Sequence, residues 1–151
     1  MTRFNGPGTA GKAYVAGPMS GIAAANFPAF IAADEYLHEQ GWATFNPAVH
    51  ELETGVVPPE ILNMSKDFFP ELEAMGYRFD KSEALRRDMN AIADARAIIL
   101  LDGWSNSTGA RLELRAAAWA GKAVYRLTES EGRPLLYLAS ADALLLVIDA
   151  P

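Results

Sequence analysis

Apolar residues gather along this chain in short runs that alternate with amphipathic stretches, and that alternation sets the first expectation for its fold. Residues 12–16 (KAYVA) read as a short buried strand running into Gly17, Pro18, Met19, Ser20 and Gly21, whose glycines and proline predict a loop. Asn26 is placed to cap a helix over 27–40, where Phe27, Phe30, Ile31, Ala33 and Leu37 recur at near-helical spacing and Gly41 supplies the stop. Residues 42–45 predict a second strand. Between 46 and 81, Pro47, Pro58, Pro59 and Pro70 break any long period, so short helices are expected in an insertion at about 50–80. Ser82 is read as the cap of a helix through Ala95, followed by a strand at 97–101 (AIILL), a polar loop at 102–108 and a helix over 109–120 ended by Gly121. Residues 123–126 predict another strand and 135–138 a last one, with Ser140 capping an apolar tail.

Strands alternating with helices imply an α/β fold, a parallel sheet covered by helices on both faces and joined by right-handed crossovers. Ligands of such sheets sit at the carboxyl ends of the strands. Here those ends are the loops at 17–21, 46–50 and 102–108, which makes Ser20, Asn46, Asp102, Trp104 and Ser107 candidates for contact with a ligand. Backbone N–H groups of the 17–21 loop and the Ser20 hydroxyl suit an anion, although the same loop also serves as a plain strand-to-helix connection. Trp104 suits either stacking on a base or plugging the edge of the domain. Trp42 and Trp119 are read as core.

Composition narrows the picture. At 151 residues, half of them hydrophobic, the chain fits one domain over 12–151, with the Gly-, Thr- and Pro-containing residues 1–11 expected to fray. The stretch GPGTAGK at 6–12 has the outline of a phosphate-binding loop, but it precedes a strand and lacks Ser or Thr after the lysine, so it is not read as one. With no cysteine and only His38 and His50, the chain offers no thiolate chemistry and implies no metal and no cofactor. A net charge of -6 argues against polymeric nucleic acid as partner while leaving a small nucleotide allowed. No run approaches the length of a membrane span and the first residues lack a signal-peptide pattern, so a soluble, cytoplasmic protein without a membrane partner is expected.

Two carboxylates stand on faces where the pattern calls for apolar residues. Projected at about 100° per residue, the 109–120 helix gathers Gly109, Leu112, Glu113, Ala116, Ala117 and Ala120 on one side, with Arg111 and Arg115 opposite. The preceding helix gathers Leu85, Asp88, Met89, Ile92 and Ala95, with Glu83, Arg87, Asn90 and Asp94 opposite. Both helices flank the 97–101 strand, so Glu113 and Asp88 are expected to approach each other at its end. Paired acids in unlike environments suit glycosidic chemistry, one attacking or stabilising the sugar cation and the other managing protons. Carboxylates held by a buried arginine or by backbone amides present the same pattern without any chemistry.

Three segments together resemble a known family: Tyr14 to Gly21 (YVAGPMSG) with Asn26-Phe27-Pro28 behind it, Arg86-Arg87-Asp88, and Leu101 to Trp104 (LDGW) through Gly109 to Glu113 (GARLE) and Gly121-Lys122. Over residues 13–126 the chain is similar to the nucleoside 2-deoxyribosyltransferase-like superfamily, in particular its small phage and bacterial branch of the DUF4406 kind. The resemblance implies a flavodoxin-like (Rossmann-like) sheet and a homo-oligomer, dimer or higher, with active sites near subunit interfaces. It also implies Glu113 as a nucleophile forming a covalent sugar intermediate, and Asp88 as the aspartate assisting sugar and leaving base. Tyr14, Gly17, Pro18, Met19, Gly21 and Gly109 belong to the matching motifs and join the expected substrate contacts. Where classical transferases carry a base-reading aspartate six residues before the glutamate, this chain has Ser107, as in the hydrolases of nucleoside 5'-monophosphates. Hydrolysis of a nucleotide N-glycosidic bond is therefore the leading expectation, and Ser20, Ser107 and the Gly17 and Gly21 amides the expected phosphate contacts. Base exchange by deoxyribosyl transfer, a non-catalytic nucleotide sensor, and an interaction protein using the apolar residues 144–148 are the competing readings.

Overall fold

In the computed structural model, which describes residues 2–149, five strands form one sheet in the order β2-β1-β3-β4-β5. β1 (Gly11–Ala16), β2 (Trp42–Phe45), β3 (Ala97–Leu101) and β4 (Ala123–Ser130) are mutually parallel, while β5 (Arg133–Ala139) runs antiparallel to β4. This is the flavodoxin-like strand order, with the sequence direction reversing around β1 so that a crevice opens between the carboxyl ends of β1 and β3. β1 and β3 are buried on both faces apart from the first residues of β1, which is why they read as continuous apolar runs rather than alternating ones.

Helices cover both faces. On one side α1 (Phe27–Glu39) packs Phe27, Phe30 and Leu37 against Val15, Trp42 and Ile99. On the other, α4 (Lys81–Asp94) and α5 (Thr108–Trp119) pack Ile92, Leu114 and Ala117 against Tyr14, Ile98 and Leu100, joined by Leu144, Leu145 and Ile148 of α6 (Ala141–Asp149). The proline-broken segment between β2 and α4 folds into short pieces: α2 (Pro47–Thr54), a 3-10 turn at Pro59–Asn63 and α3 (Phe68–Ala74). Ile61, Phe68 and Leu72 tie it into the α1-side core. Among the described residues no helix is long and apolar enough to cross a membrane.

Several local expectations are corrected. Asn26 does not cap α1 with its side chain; it sits in the left-handed region at φ 61° and its amide donates instead to the Pro18 carbonyl at 2.9 Å, tying down the 17–21 loop. Asp80, not Ser82, caps α4, its Oδ1 accepting from the Ser82 and Glu83 amides at 2.9 and 3.1 Å. β4 and β5 run longer than the apolar runs at 123–126 and 135–138, because Glu131 and Gly132, both at positive φ, close a tight hairpin that projects beyond the core. Ser140 does cap α6, accepting from the Ala143 amide at 3.3 Å; residues 150 and 151 of the apolar tail lie outside the described residues. Trp119 is 91 % exposed rather than core, since the buried stripe of α5 is Ala110, Leu114 and Ala117, and Leu112 and Leu85 likewise face outward.

The N-terminal segment, whose composition predicts fraying, has specific partners. Asn5 exchanges two backbone hydrogen bonds with Thr44 of β2, at 2.9 and 2.6 Å, and the Phe4 ring meets Phe45 edge-on.

Candidate active site

A cavity of about 440 Å³ opens at the crevice beside the carboxyl ends of β1 and β3, and a chain of polar side chains crosses one end of it. Glu113 lies three residues past Ala110 and four before Ala117, so it stands on the shoulder of the buried stripe of α5 and turns its carboxyl into the cavity. Asp88 occupies the equivalent shoulder of α4, three before Ala91 and four before Ile92. The two helices pack against each other, which brings the two acids together. Tyr14, fully buried in β1, donates its hydroxyl hydrogen to Glu113 Oε2.

Arg87 binds the other carboxylates. Its Nε donates to Asp88 Oδ1 at 2.8 Å and its terminal nitrogens reach Glu51 Oε1 at 3.3 Å. The guanidinium also lies 5.9 Å from the centroid of the Phe45 ring. Glu51 is supplied by α2, whose buried positions are Pro47, Ala48 and Glu51, and Asn46 starts that helix by accepting from the Val49 amide. The result is a continuous series, Tyr14, Glu113, Asp88, Arg87, Glu51, drawn from four elements.

Burial, and after it the negative charge of Asp88, pushes Glu113 up from 4.5 to about 8, against the opposing hydrogen bond from Tyr14. Burial also raises Glu51, with Arg87 working in the other direction. Tyr14 is raised well above its ordinary value by burial and by Glu113, so its hydroxyl stays a hydrogen-bond donor throughout the physiological range. His50, which packs on Phe45, is pushed down by burial and by Arg87.

The family described as a domain of unknown function (DUF4406) matches residues 11–126, from the first residue of β1 into β4. The chain belongs to the DUF4406 family. Every side chain of the polar series lies inside the DUF4406 match, whereas β5 and α6 follow it. No curated protein and no solved structure matches the chain.

Of the other residues expected at the site, the structure brings Gly17, Met19, Ser20, Ser107 and Gly109 to the cavity wall of this DUF4406 domain. Ser107 is also the cap of α5, accepting from the Ala110 amide at 3.1 Å. Pro18 and Gly21 are not on the wall; Pro18 is turned against Gly103, where a Cβ would stand 3.0 Å from the proline ring. Asn46 is spent on structure, its amide donating to the Phe30 carbonyl at 2.8 Å. Asp102 points away from the cavity to Arg126 at 3.2 Å and Thr128 at 3.0 Å. Trp104 is 4 % exposed and packed in the α4/α5-side core, so it plugs the fold and has no open face for stacking. The left-handed turn at Gly103, φ 85°, sends these two neighbours to opposite sides.

Two members of the site escaped the sequence reading. Arg87 projects to the solvent face of α4, but its long side chain bends back over Phe45 to reach Glu51. Glu51 shares a stripe with Pro47 and Ala48, a signal that the prolines around the insertion obscured.

Proposed function

We propose that this chain cleaves the N-glycosidic bond of a nucleoside 5'-monophosphate through a covalent glycosyl ester on Glu113. The observation that carries the reading is the adjoining pair Glu113 and Asp88, facing one cavity, with a neutral hydroxyl donor on the first and a guanidinium on the second. The likeness of the YVAGPMSG, RRD and GARLE segments to the nucleoside 2-deoxyribosyltransferase-like superfamily supports the same chemistry.

The coupled pair supplies both a nucleophile and a proton when it holds a single proton between its two carboxyls. At rest that proton sits on Glu113, where burial and the charge of Asp88 hold it; in the reactive arrangement it passes across to Asp88 and leaves Glu113 ionised, steadied by the Tyr14 hydroxyl. A Glu113 oxygen attacks the anomeric carbon, the C–N bond breaks with its electron pair going to the base, and the Asp88 proton neutralises the departing nitrogen. Asp88, now a base and still held by Arg87, takes a proton from water, whose oxygen attacks the anomeric carbon and releases the Glu113 carboxylate. Ser20 and Ser107 on the cavity wall offer hydroxyl donors to the 5'-phosphate.

The deciding experiment incubates wild type and Glu113→Ala with a panel of nucleosides and 5'-monophosphates, with and without a second base, and follows bases by chromatography. Free base released from monophosphates by wild type alone is the expected result. Exchange only in the presence of an acceptor base makes the chain a transferase, and binding with no base released by any partner makes it a sensor.

A further inference from the structure

The cavity extends past its polar end, and its buried inner wall there is apolar, with Tyr77, Glu73, Arg78 and Lys81 further out on the lining. Phe27 and Phe30 of α1 and Ile61, Phe68 and Leu72 of the insertion form the inner wall, all buried and none with a polar side-chain atom. The aromatic lining continues outward: the Phe68 and Phe69 ring centroids are 4.5 Å apart and those of Phe69 and Phe79 6.3 Å apart. Val56, Phe69 and Phe79 are 39, 43 and 45 % exposed, and these three large apolar side chains from three separate segments all line the mouth of this one cavity. Exposed apolar residues scattered singly need no explanation, but a rim of them around a concave apolar wall marks a place where an apolar ligand group is received.

Charge on the cavity wall is segregated. Glu51, Arg87, Asp88 and Glu113 stand at the end that holds the reacting bond, and Glu73, Arg78 and Lys81 are exposed residues of the rim. A plain nucleobase carries donors and acceptors around its edge. Pressed against the Phe27, Phe30, Ile61 and Leu72 wall, those groups lose water and gain no partner, which is unfavourable. An alkyl or aryl group attached to the base incurs no such loss and gains from burial.

We infer that the apolar half of the cavity is a subsite for an apolar substituent on the leaving base, so that the preferred substrates are nucleotides whose base carries an alkyl or aryl group. The assignment rests on the glycosidase reading only for what occupies the carboxylate end. The test compares N6-benzyladenosine 5'-monophosphate with adenosine 5'-monophosphate, each in ribo and 2'-deoxy form, by calorimetric affinity and by base release. Wild type is expected to bind the benzyl compound at least tenfold more tightly and to release its base with a correspondingly higher kcat/KM. Phe69→Ser and Phe79→Ser, both at partly exposed positions, are expected to cut that advantage to about threefold or less. In Glu113→Gln the binding preference is expected to persist while base release disappears. Equal affinity for the two compounds, a preference for the unsubstituted one, no binding of either, or an advantage untouched by both serine variants overturns the subsite. A benzyl preference without base release from any compound supports the subsite and overturns the glycosidase reading instead.

Discussion

The hydroxyl of Tyr14 and the carboxyl of Glu113 are hydrogen-bonded across 99 residues of sequence, the one rising from the floor of β1 and the other from the second turn of α5. This bond lowers the proton affinity of Glu113, while burial and Asp88 raise it to about 8. If one proton on the Glu113 and Asp88 pair is required for the leaving base, kcat/KM for base release falls about tenfold per pH unit above pH 8. Tyr14→Phe removes the only one of these influences that the hydroxyl contributes, so its alkaline limb is expected to move to higher pH. A profile that rises through pH 8, or a Tyr14→Phe limb that moves down, contradicts the shared-proton mechanism.

The same raised group affects folding. Between pH 4.5 and about 8 the unfolded chain gives up the Glu113 proton while the folded chain keeps it. The unfolded state then binds fewer protons, so stability falls as pH rises through that window, by at most about 1.4 kcal/mol per pH unit from this residue. Asp34 and Glu51 are also raised by burial and act in the same direction. Urea unfolding of Glu113→Gln at pH 5 and pH 8 isolates the one contribution: the variant is expected to gain on wild type as pH increases. A constant difference between the two proteins refutes it.

Arg87 sits between two carboxylates, with Glu51 almost wholly buried. Arg87→Met leaves both acids without their cation and is expected to destabilise the fold by about 3 kcal/mol, because an uncompensated buried charge is more costly than an absent pair. Adding Glu51→Gln to that variant is expected to restore a part of the loss, an interaction that a double-mutant cycle in urea reads directly. Strict additivity of the two substitutions would show that the contact contributes nothing.

Trp104 distinguishes a core residue from a base-stacking one. Trp104→Ala is expected to cost about 3–5 kcal/mol of stability, as for other buried aromatic truncations. Thermal or urea unfolding checks this, and a loss below about 1 kcal/mol would return Trp104 to the surface.

Most of the architecture was legible because the strands and long helices carry clean signals: apolar runs at β1 and β3, the glycine stops after α1 and α5, and the two acids among apolar neighbours. The helical projection erred by a small rotation, placing Leu112 and Leu85 inward when Ala110 and Ala91 are the buried residues, yet Glu113 and Asp88 remained at the border of either stripe. What stayed hidden depends on long side chains and on chain reversal. Arg87 reaches its partners by bending away from its own helix face, and Asp102 and Trp104 are separated by one left-handed glycine whose direction no local pattern announces. The hairpin to β5 was missed as such because its strands extend past the core, where burial no longer imposes an apolar rhythm.

The pairing of Asn5 with Thr44 has a bearing on how this protein behaves at high concentration. β2 is the outermost strand of its side of the sheet, and its unpaired backbone groups would otherwise invite a strand from a neighbouring molecule. Asn5 thus serves as a guard rail along that border: trimming it would uncover the Thr44 backbone and expose a template for aggregation.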